Sequence, residues 1–295
     1  MWKKIIVVSL FSLFIVVILC HNMNNAVWNP YFVEKFGFSN KVPKEYRPMM
    51  EDINLHIIGD TYTVNILQTV GDGKILHVLY EISFSQEQQE TLKNEDFISS
   101  FSFDTCCTPF SVDGKSMEDI LTSHHDRAFL TETFQADYNE EKGVLTCISS
   151  YYDNDWEYQD KEVHFIIGNL FAVSENNEKI LLSDEVLSIS WIAHNKSGFK
   201  HLQIQDGYCE ISPLRLSYHM TSMDSDIDVD EIIEAMGIVC KDGSMVNSFG
   251  TSSGSSDLVE GKYFSDIVIT PAPKTFFQIS EISSVEINGV TFSIE

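Results

Sequence analysis

Basic residues are scarce in this sequence: 19 Lys and Arg stand against 44 Asp and Glu, giving a formal net charge of −25 at pH 7 over 295 residues. So acidic a body repels phosphate backbones and anionic lipid headgroups, which argues against a nucleic-acid partner. It suits a soluble domain, or a partner that is basic or a metal cation. Catalytic signatures are sparse too. The chain has no HExxH, no GxxxxGK[ST] and no GxGxxG, so it encodes neither a zinc-protease helix nor a phosphate-cradling loop. Serines are plentiful, but none is expected to act as a nucleophile. Cysteine is irregular: Cys20, Cys106, Cys107, Cys147, Cys209 and Cys240 form no CxxC, and the five beyond the apolar opening run cannot all pair. Scattered cysteines of this kind behave as small buried hydrophobes. Cys106 and Cys107 would point to opposite faces of a strand, which disfavours a shared metal site.

Long apolar runs are absent but for one. Lys3 and Lys4 precede the 15 uncharged residues Ile5 to Leu19, interrupted only by Ser9 and Ser12. That length lies between a signal-peptide core and a spanning helix of about 20 residues. No A-x-A cleavage site follows. Val17-Ile18-Leu19-Cys20 resembles a lipoprotein box, although Leu19 is larger than such boxes use. Residues 1–21 are therefore read as a membrane anchor first, with a lipoprotein or a cleaved signal as alternatives. With the lysines inside, the remainder lies outside the cytoplasm. The few residues before the run are too short for an intracellular domain.

Hydrophobic residues reach 43% and aromatics 12%, enough for a packed core. Residues 22–50 are polar and asparagine-rich, with Trp28, Tyr31, Phe32, Phe36 and Phe38 but no regular period. They are read as a spacer. Beyond them, alternation dominates. In 75–84 it puts Leu76, Val78, Tyr80, Ile82 and Phe84 on one face, the period of a half-buried strand. Residues 62–69 and the turn Gly71-Asp72-Gly73 complete a hairpin. Further strands are predicted at 97–103, 129–136, 143–152, 162–173 and 186–193, the last with Leu187, Ile189 and Trp191 on one face. A short helix is predicted at 86–93, with Ser85 and Gln88 forming a capping box. No βαβ alternation appears, so no Rossmann-like site is expected. The pattern pauses at 194–207, which sets a boundary near residue 195. Beyond it, 209–220 is predicted as a strand carrying Pro213, at an edge or bulge. Asp242-Gly243 marks a turn, 250–257 a flexible surface loop, and Asn288-Gly289 a terminal hairpin between alternating apolar residues. The fold class is all-β: two immunoglobulin-like β-sandwich domains, 51–195 and 196–295.

Several of these stretches together resemble a known family. YTVNILQTVGDGKILHVLYEISF is similar to the lead hairpin of the extracellular region of unknown function in membrane-anchored, anti-sigma-factor-like proteins of Gram-positive bacteria. CEISPLRLSYHM, CKDGSMV and the terminal ISSVEINGVTFSI resemble the smaller all-β module that often follows it. The resemblance covers roughly residues 50 to 295. It implies a pair of immunoglobulin-like sandwiches and no catalytic residues. Typical members carry a cytoplasmic sigma-binding domain before the membrane helix. This sequence departs from that pattern, which implies that a partner must supply any inward regulatory part.

Local candidates for chemistry have simpler readings. His124, His125, Asp126 and Arg127 gather donors, but adjacent histidines on a strand diverge and zinc needs further ligands. A solvated loop is expected there. Asp224, Asp226 and Asp228 occupy the first, third and fifth positions of an EF-hand-like loop. Val229 replaces the required glycine, and Ala235 the bidentate glutamate. A helix capped by Asp228 and Glu231, with Ile232, Ile233 and Met236 on its apolar side and ended by Gly237, explains the run better. Residues 151–162 (YYDNDWEYQDKE) are read as a long connection covering a sandwich end, with ligand recognition as the alternative. Asn195-Lys196-Ser197 matches a glycosylation acceptor, which has no meaning in a bacterial source. The expected catalytic, cofactor and metal sites are none. The function expected is non-catalytic binding or sensing at the cell envelope, with an unidentified envelope protein or ligand as partner. An envelope hydrolase built from distant residues and a truncated signalling component are the alternatives.

Overall fold

The computed structural model describes residues 27–37, 42, 44–94, 98–103, 110–116, 129–153, 157–204, 207–222, 229–259, 262–272, 274–275 and 277–294. Among them the chain is mostly antiparallel β. The strands β1 (Met50–Ile58), β2 (Tyr62–Gly71), β3 (Ile75–Phe84), β4 (Ile98–Phe103), β5 (Phe110–Val112), β6 (Lys115–Ser116), β7 (Phe129–Asn139), β8 (Val144–Asp153), β9 (Lys161–Ser174) and β10 (Lys179–Ala193) form two sheets. One has the order β1-β2-β3-β8-β7. The other has the order β10-β9-β5-β6, with β4 also pairing β9. After residue 193 the chain builds a further two sheets. Strands β11 (Lys200–Ile204), β12 (Gly207–Ile211), β13 (Leu216–Ser222), β14 (Met236–Cys240), β15 (Met245–Val246), β16 (Phe249–Val259), β17 (Lys262–Pro271), β18 (Ile282–Ile287) and β19 (Val290–Ser293) give the orders β11-β12-β13-β17-β16 and β15-β14-β18-β19.

Local chemistry accounts for the strongest elements. In the β2–β3 hairpin, Asp72 Oδ1 accepts hydrogen bonds from the amides of Lys74 at 2.9 Å and Ile75 at 2.8 Å, an Asx turn. Gly73 takes the left-handed φ of 100° that the turn requires. Leu76, Val78, Tyr80, Ile82 and Phe84 enter a core shared with Phe165, Ile167, Leu187 and Trp191 of the facing sheet. Tyr80 and Phe165 meet edge to face at 4.9 Å. The predicted helix forms as Gln86–Asn94. Its capping box is closed by Gln88 N donating to Ser85 Oγ at 3.3 Å and Ser85 N to Gln88 Oε1 at 3.1 Å. The terminal hairpin turns through Asn288 and Gly289, both at positive φ, as a two-residue turn of that sequence requires.

Five expectations are corrected. The stretch 209–220 is a hairpin rather than one strand: Pro213 lies in the turn between β12 and β13, where Ile211 faces Leu216. There a missing N–H removes no ladder bond. The Gly/Ser-rich 250–257 is part of edge strand β16, paired along β17; partner hydrogen bonds override its weak intrinsic preference. The predicted helix near 228–236 is only Val229–Glu234, and Met236 and Gly237 already belong to β14. Strand β10 begins at Lys179, well before residue 186.

The fifth correction concerns β3 and the spacer. Ile75, His77 and Leu79, on the face opposite the alternating set, are also buried. They are covered by a third layer in which Trp28, Phe32, Phe36, Val42 and Met49 pack with Val70, Ile75, Leu79, Ile148 and Tyr152. Residues Pro30–Phe36 form a helix. Asn29 Oδ1 caps it by accepting from Tyr31 N at 3.1 Å, Pro30 opens it, and Gly37 closes it in the left-handed conformation. Leu214 of the β12–β13 turn and Val268 of β17 join the same cluster.

Candidate functional site

Two constellations lie where the early and late sheets meet, and neither is local in sequence. The first is ionic. The β2–β3 turn presents Asp72 and Lys74, strand β12 presents Glu210, and the β12–β13 turn presents Arg215. Arg215 Nε lies 3.0 Å from Asp72 Oδ2, both side chains being 1% exposed. Arg215 Nη2 reaches Glu210 Oε2 at 3.2 Å, and Lys74 Nζ reaches the same oxygen at 3.1 Å. Arg215 also donates to Ser217 Oγ and lies over the Tyr152 ring at 5.5 Å. Burial opposes the Arg215 charge, but Asp72 and Glu210 overcome it and keep the guanidinium protonated. Burial likewise opposes ionisation of Glu210; Arg215 and Lys74 win, holding its carboxyl below the usual value. Tyr158 braces the same turn, accepting from Gly73 N at 3.0 Å and donating to Ile75 O at 2.6 Å. Arg215 Nε and Asp72 Oδ2 are within ion-pair distance but complete no hydrogen bond among the described residues; buried charges paired in this way favour one arrangement of the parts they join.

The second constellation is a cavity of 240 Å³ enclosed by the N-terminal helix, the first sheet and the β16–β17 pair. Tyr31, Lys35 and Phe36 form one wall, His77, Glu132, Phe134 and Ala136 another, and Thr251, Thr270 and Lys274 a third. The helix is held against the late sheets by Lys274 N donating to Lys35 O at 2.8 Å. A Cβ on Gly37 would lie 1.9 Å from Lys274 O, so only glycine allows that approach. Lys35 Nζ lies 3.8 Å from Glu132 Oε2 and 5.5 Å from the Phe134 ring centre. Burial pushes its ammonium below the usual lysine value, and Glu132 offsets only part of that. His77 is fully buried, Phe36 edge-on at 4.8 Å, with Nδ1 2.7 Å from Ser150 Oγ. Its Nε2 has no partner among the described residues. Burial, with Lys35 nearby, holds the imidazole well below its ordinary pKa, hence neutral.

The motifs singled out in the sequence contribute little to either constellation. His124 to Arg127, Asp224, Asp226 and Asp228, Cys106 and Cys107 and the apolar opening run lie outside the described residues. Tyr151, Tyr152 and Tyr158 of the acidic-aromatic stretch are core residues. Asn195 is fully buried, donating from Nδ2 to Met49 O at 2.9 Å and accepting from Thr69 Oγ1 at 3.1 Å, so it clamps the 44–49 turn. Cys147 and Cys209 are buried free thiols, each pushed up to about 12 by burial and therefore unreactive. Among the described residues no three His, Cys, Asp or Glu cluster to hold a metal, and no helix is long and apolar enough to cross a membrane.

Two arrangements bear on hydrolysis. Gly250-Thr251-Ser252-Ser253-Gly254 has the G-x-S-x-G spacing but lies along edge strand β16, not at a strand-to-helix elbow. Ser190 Oγ lies 2.7 Å from His164 Nδ1, whose Nε2 lies 3.4 Å from Glu162 Oε2. These residue types make triads, yet Ser190 and His164 are also direct cross-strand partners, and neither residue lines the 240 Å³ cavity.

The sequence offered signals for the cavity wall that went unused. Asn29-Pro30 and Gly37 are start and stop signals around an i, i+4 Phe pair. The run 75–80 is apolar almost throughout, the mark of a strand covered on both faces. Nothing local pairs Lys74 with Glu210 or Asp72 with Arg215.

No protein-family model matches this chain, and no curated protein matches it. A crystal structure of a conserved domain protein from Bacillus anthracis shares 7% identity over 82% of this chain and 77% of that one, with a TM-score of 0.43.

Proposed function

We propose that this chain is a membrane-tethered, extracytoplasmic binding or sensing protein, non-catalytic, and similar in role to the outer region of anti-sigma-factor-like proteins. The observation that carries this reading is the composition of the cavity wall. Lys35 and Phe36, on the first of the described helices, line the cavity. Occupancy of the cavity and the path to the membrane thus share one short helix, the coupling a sensor needs. The finer architecture that goes with this reading is two immunoglobulin-like sandwiches behind an N-terminal anchor. The face-to-face packing of β2, β3 and β8 on β9 and β10 supports it.

The test is made in cells. Membrane fractions are shaved with external protease, and the mature N-terminus is read by mass spectrometry. Membrane-bound, protease-accessible protein with Met1 or a lipidated Cys20 supports the reading. A cytosolic, protease-protected chain overturns it.

The hydrolase alternative rests on Ser190, His164 and Glu162. Ser190 is expected to stay unlabelled by a fluorophosphonate; labelling that disappears in Ser190→Ala would establish the enzyme reading instead.

A further inference from the structure

We propose that the cavity takes a small monocarboxylate with an apolar body, its anionic end between Lys35 and His77 and its apolar part against Phe36, Phe134 and Ala136. The inference rests on the reading of this cavity as the ligand site and adds the chemistry of the ligand.

Three observations point to an anion rather than a cation or a neutral molecule. Lys35 is more deeply buried than its counter-ion: its side chain is 18% exposed against 40% for Glu132, and their 3.8 Å separation is longer than a close charge-assisted bond. The cavity therefore contains a desolvated positive charge whose partner stays partly in water, an imbalance that an incoming carboxylate corrects and an incoming ammonium worsens. His77 adds a directional group. Nδ1 lies 2.7 Å from Ser150 Oγ; in the tautomer in which that hydroxyl donates, the proton of the neutral ring sits on Nε2, a nitrogen closed to solvent and without a partner among the described residues. A donor of that kind suits a carboxylate oxygen. A second lysine, Lys274, lines the same cavity in a chain that has only 19 basic residues. Glu34 and Glu132 are the acidic groups of the wall. Glu34 is exposed and Glu132 part-exposed, so both keep solvation that the ammonium has lost.

Size sets the other limit. A cavity of 240 Å³ falls just below the range of about 300–1,000 Å³ for drug-sized ligands. It holds a single ring or short chain with one headgroup and excludes a two-chain lipid.

The experiment uses the full chain in lipid nanodiscs, with empty nanodiscs subtracted. Three probes of one shape are titrated calorimetrically near neutral pH: phenylbutyrate, its amide, and phenylbutylamine. The acid is expected to bind about tenfold tighter than the amide, the order of one charge-assisted hydrogen bond, with the amine weakest. Lys35→Met should bring acid and amide to parity, while Lys35→Arg keeps the preference. Ala136→Leu, which fills the apolar end, should weaken all three alike. Near-UV circular dichroism confirms that each variant is folded. If amide or amine binds as tightly as the acid, or Lys35→Met leaves the preference intact, the anion inference is overturned and the cavity reading stands. If none of the three binds, the cavity reading falls, and this inference with it.

Discussion

The two faces of β3 are buried by different means. Its even-numbered face, Leu76 to Phe84, packs on strands of the facing sheet in a core that is apolar and aromatic throughout. Its odd-numbered face meets the Pro30–Phe36 helix together with Leu214 of the β12–β13 turn and Val268 of β17. Polar groups gather beside that second face: His77 within it, the Asp72–Arg215 pair at the preceding turn, and the Lys35–Glu132 pair at the rim. The first face holds two sheets together. The second assembles the molecule, joining the Pro30–Phe36 helix, early sheets and late sheets around a cavity. A close-packed apolar face leaves no room for a ligand, whereas a junction of three non-contiguous parts does.

The comparison is broken most severely at the buried ion pair. Arg215→Leu leaves the Asp72 charge without its counter-ion, and a loss of about 3–5 kcal/mol of unfolding free energy is expected in urea titrations. A loss below about 1 kcal/mol would mean that water reaches Asp72 and that the junction is open. Next in size is Phe32→Ala. If residues 27–49 are core, truncating this fully buried ring costs about 3 kcal/mol or more, as a large-to-small change in the inter-sheet core does. A mere spacer would lose at most about 0.5 kcal/mol, the scale of surface substitutions.

The smallest effect sharpens the contrast through pH. Burial keeps His77 neutral in the folded protein, whereas the unfolded chain protonates near its ordinary value of 6.5. Its folded pKa is thus depressed. The associated stability is complete above about pH 6.5 and declines as pH falls toward the folded value, by about 1.4 kcal/mol per pH unit at most. Urea midpoints measured from about pH 8 to about pH 5 should show this slope, and His77→Gln should flatten it. Equal slopes in both proteins would place His77 in contact with solvent.

Much of the strand framework was legible in the sequence, and the reasons are local. Turns at Asp72-Gly73, Asp242-Gly243 and Asn288-Gly289 sit where residue chemistry demands them, and the Ser85–Gln88 box starts its helix as written. Errors arose where tertiary partners overrode local preference. The Gly/Ser run at 250–257 becomes a strand because β17 supplies its hydrogen bonds. Asn195, in a stretch read only as a pause between domains, is buried because Met49 and Thr69 satisfy its amide. The cavity residues were illegible as a set. Lys35, His77, Glu132 and Thr251 are separated by long stretches of chain, and no one motif joins them.

By itself the sequence determined the class of structure and its turns, because side-chain alternation and backbone conformation depend on near neighbours alone. It also supplied the acidic charge that disfavours polyanionic partners. Only the tertiary structure decided what covers the second face of β3, which carboxylate answers Arg215, and where a cavity is left. Those outcomes depend on which distant segments meet, and the free energy of burying a charge or an apolar face is set by the partner it finds.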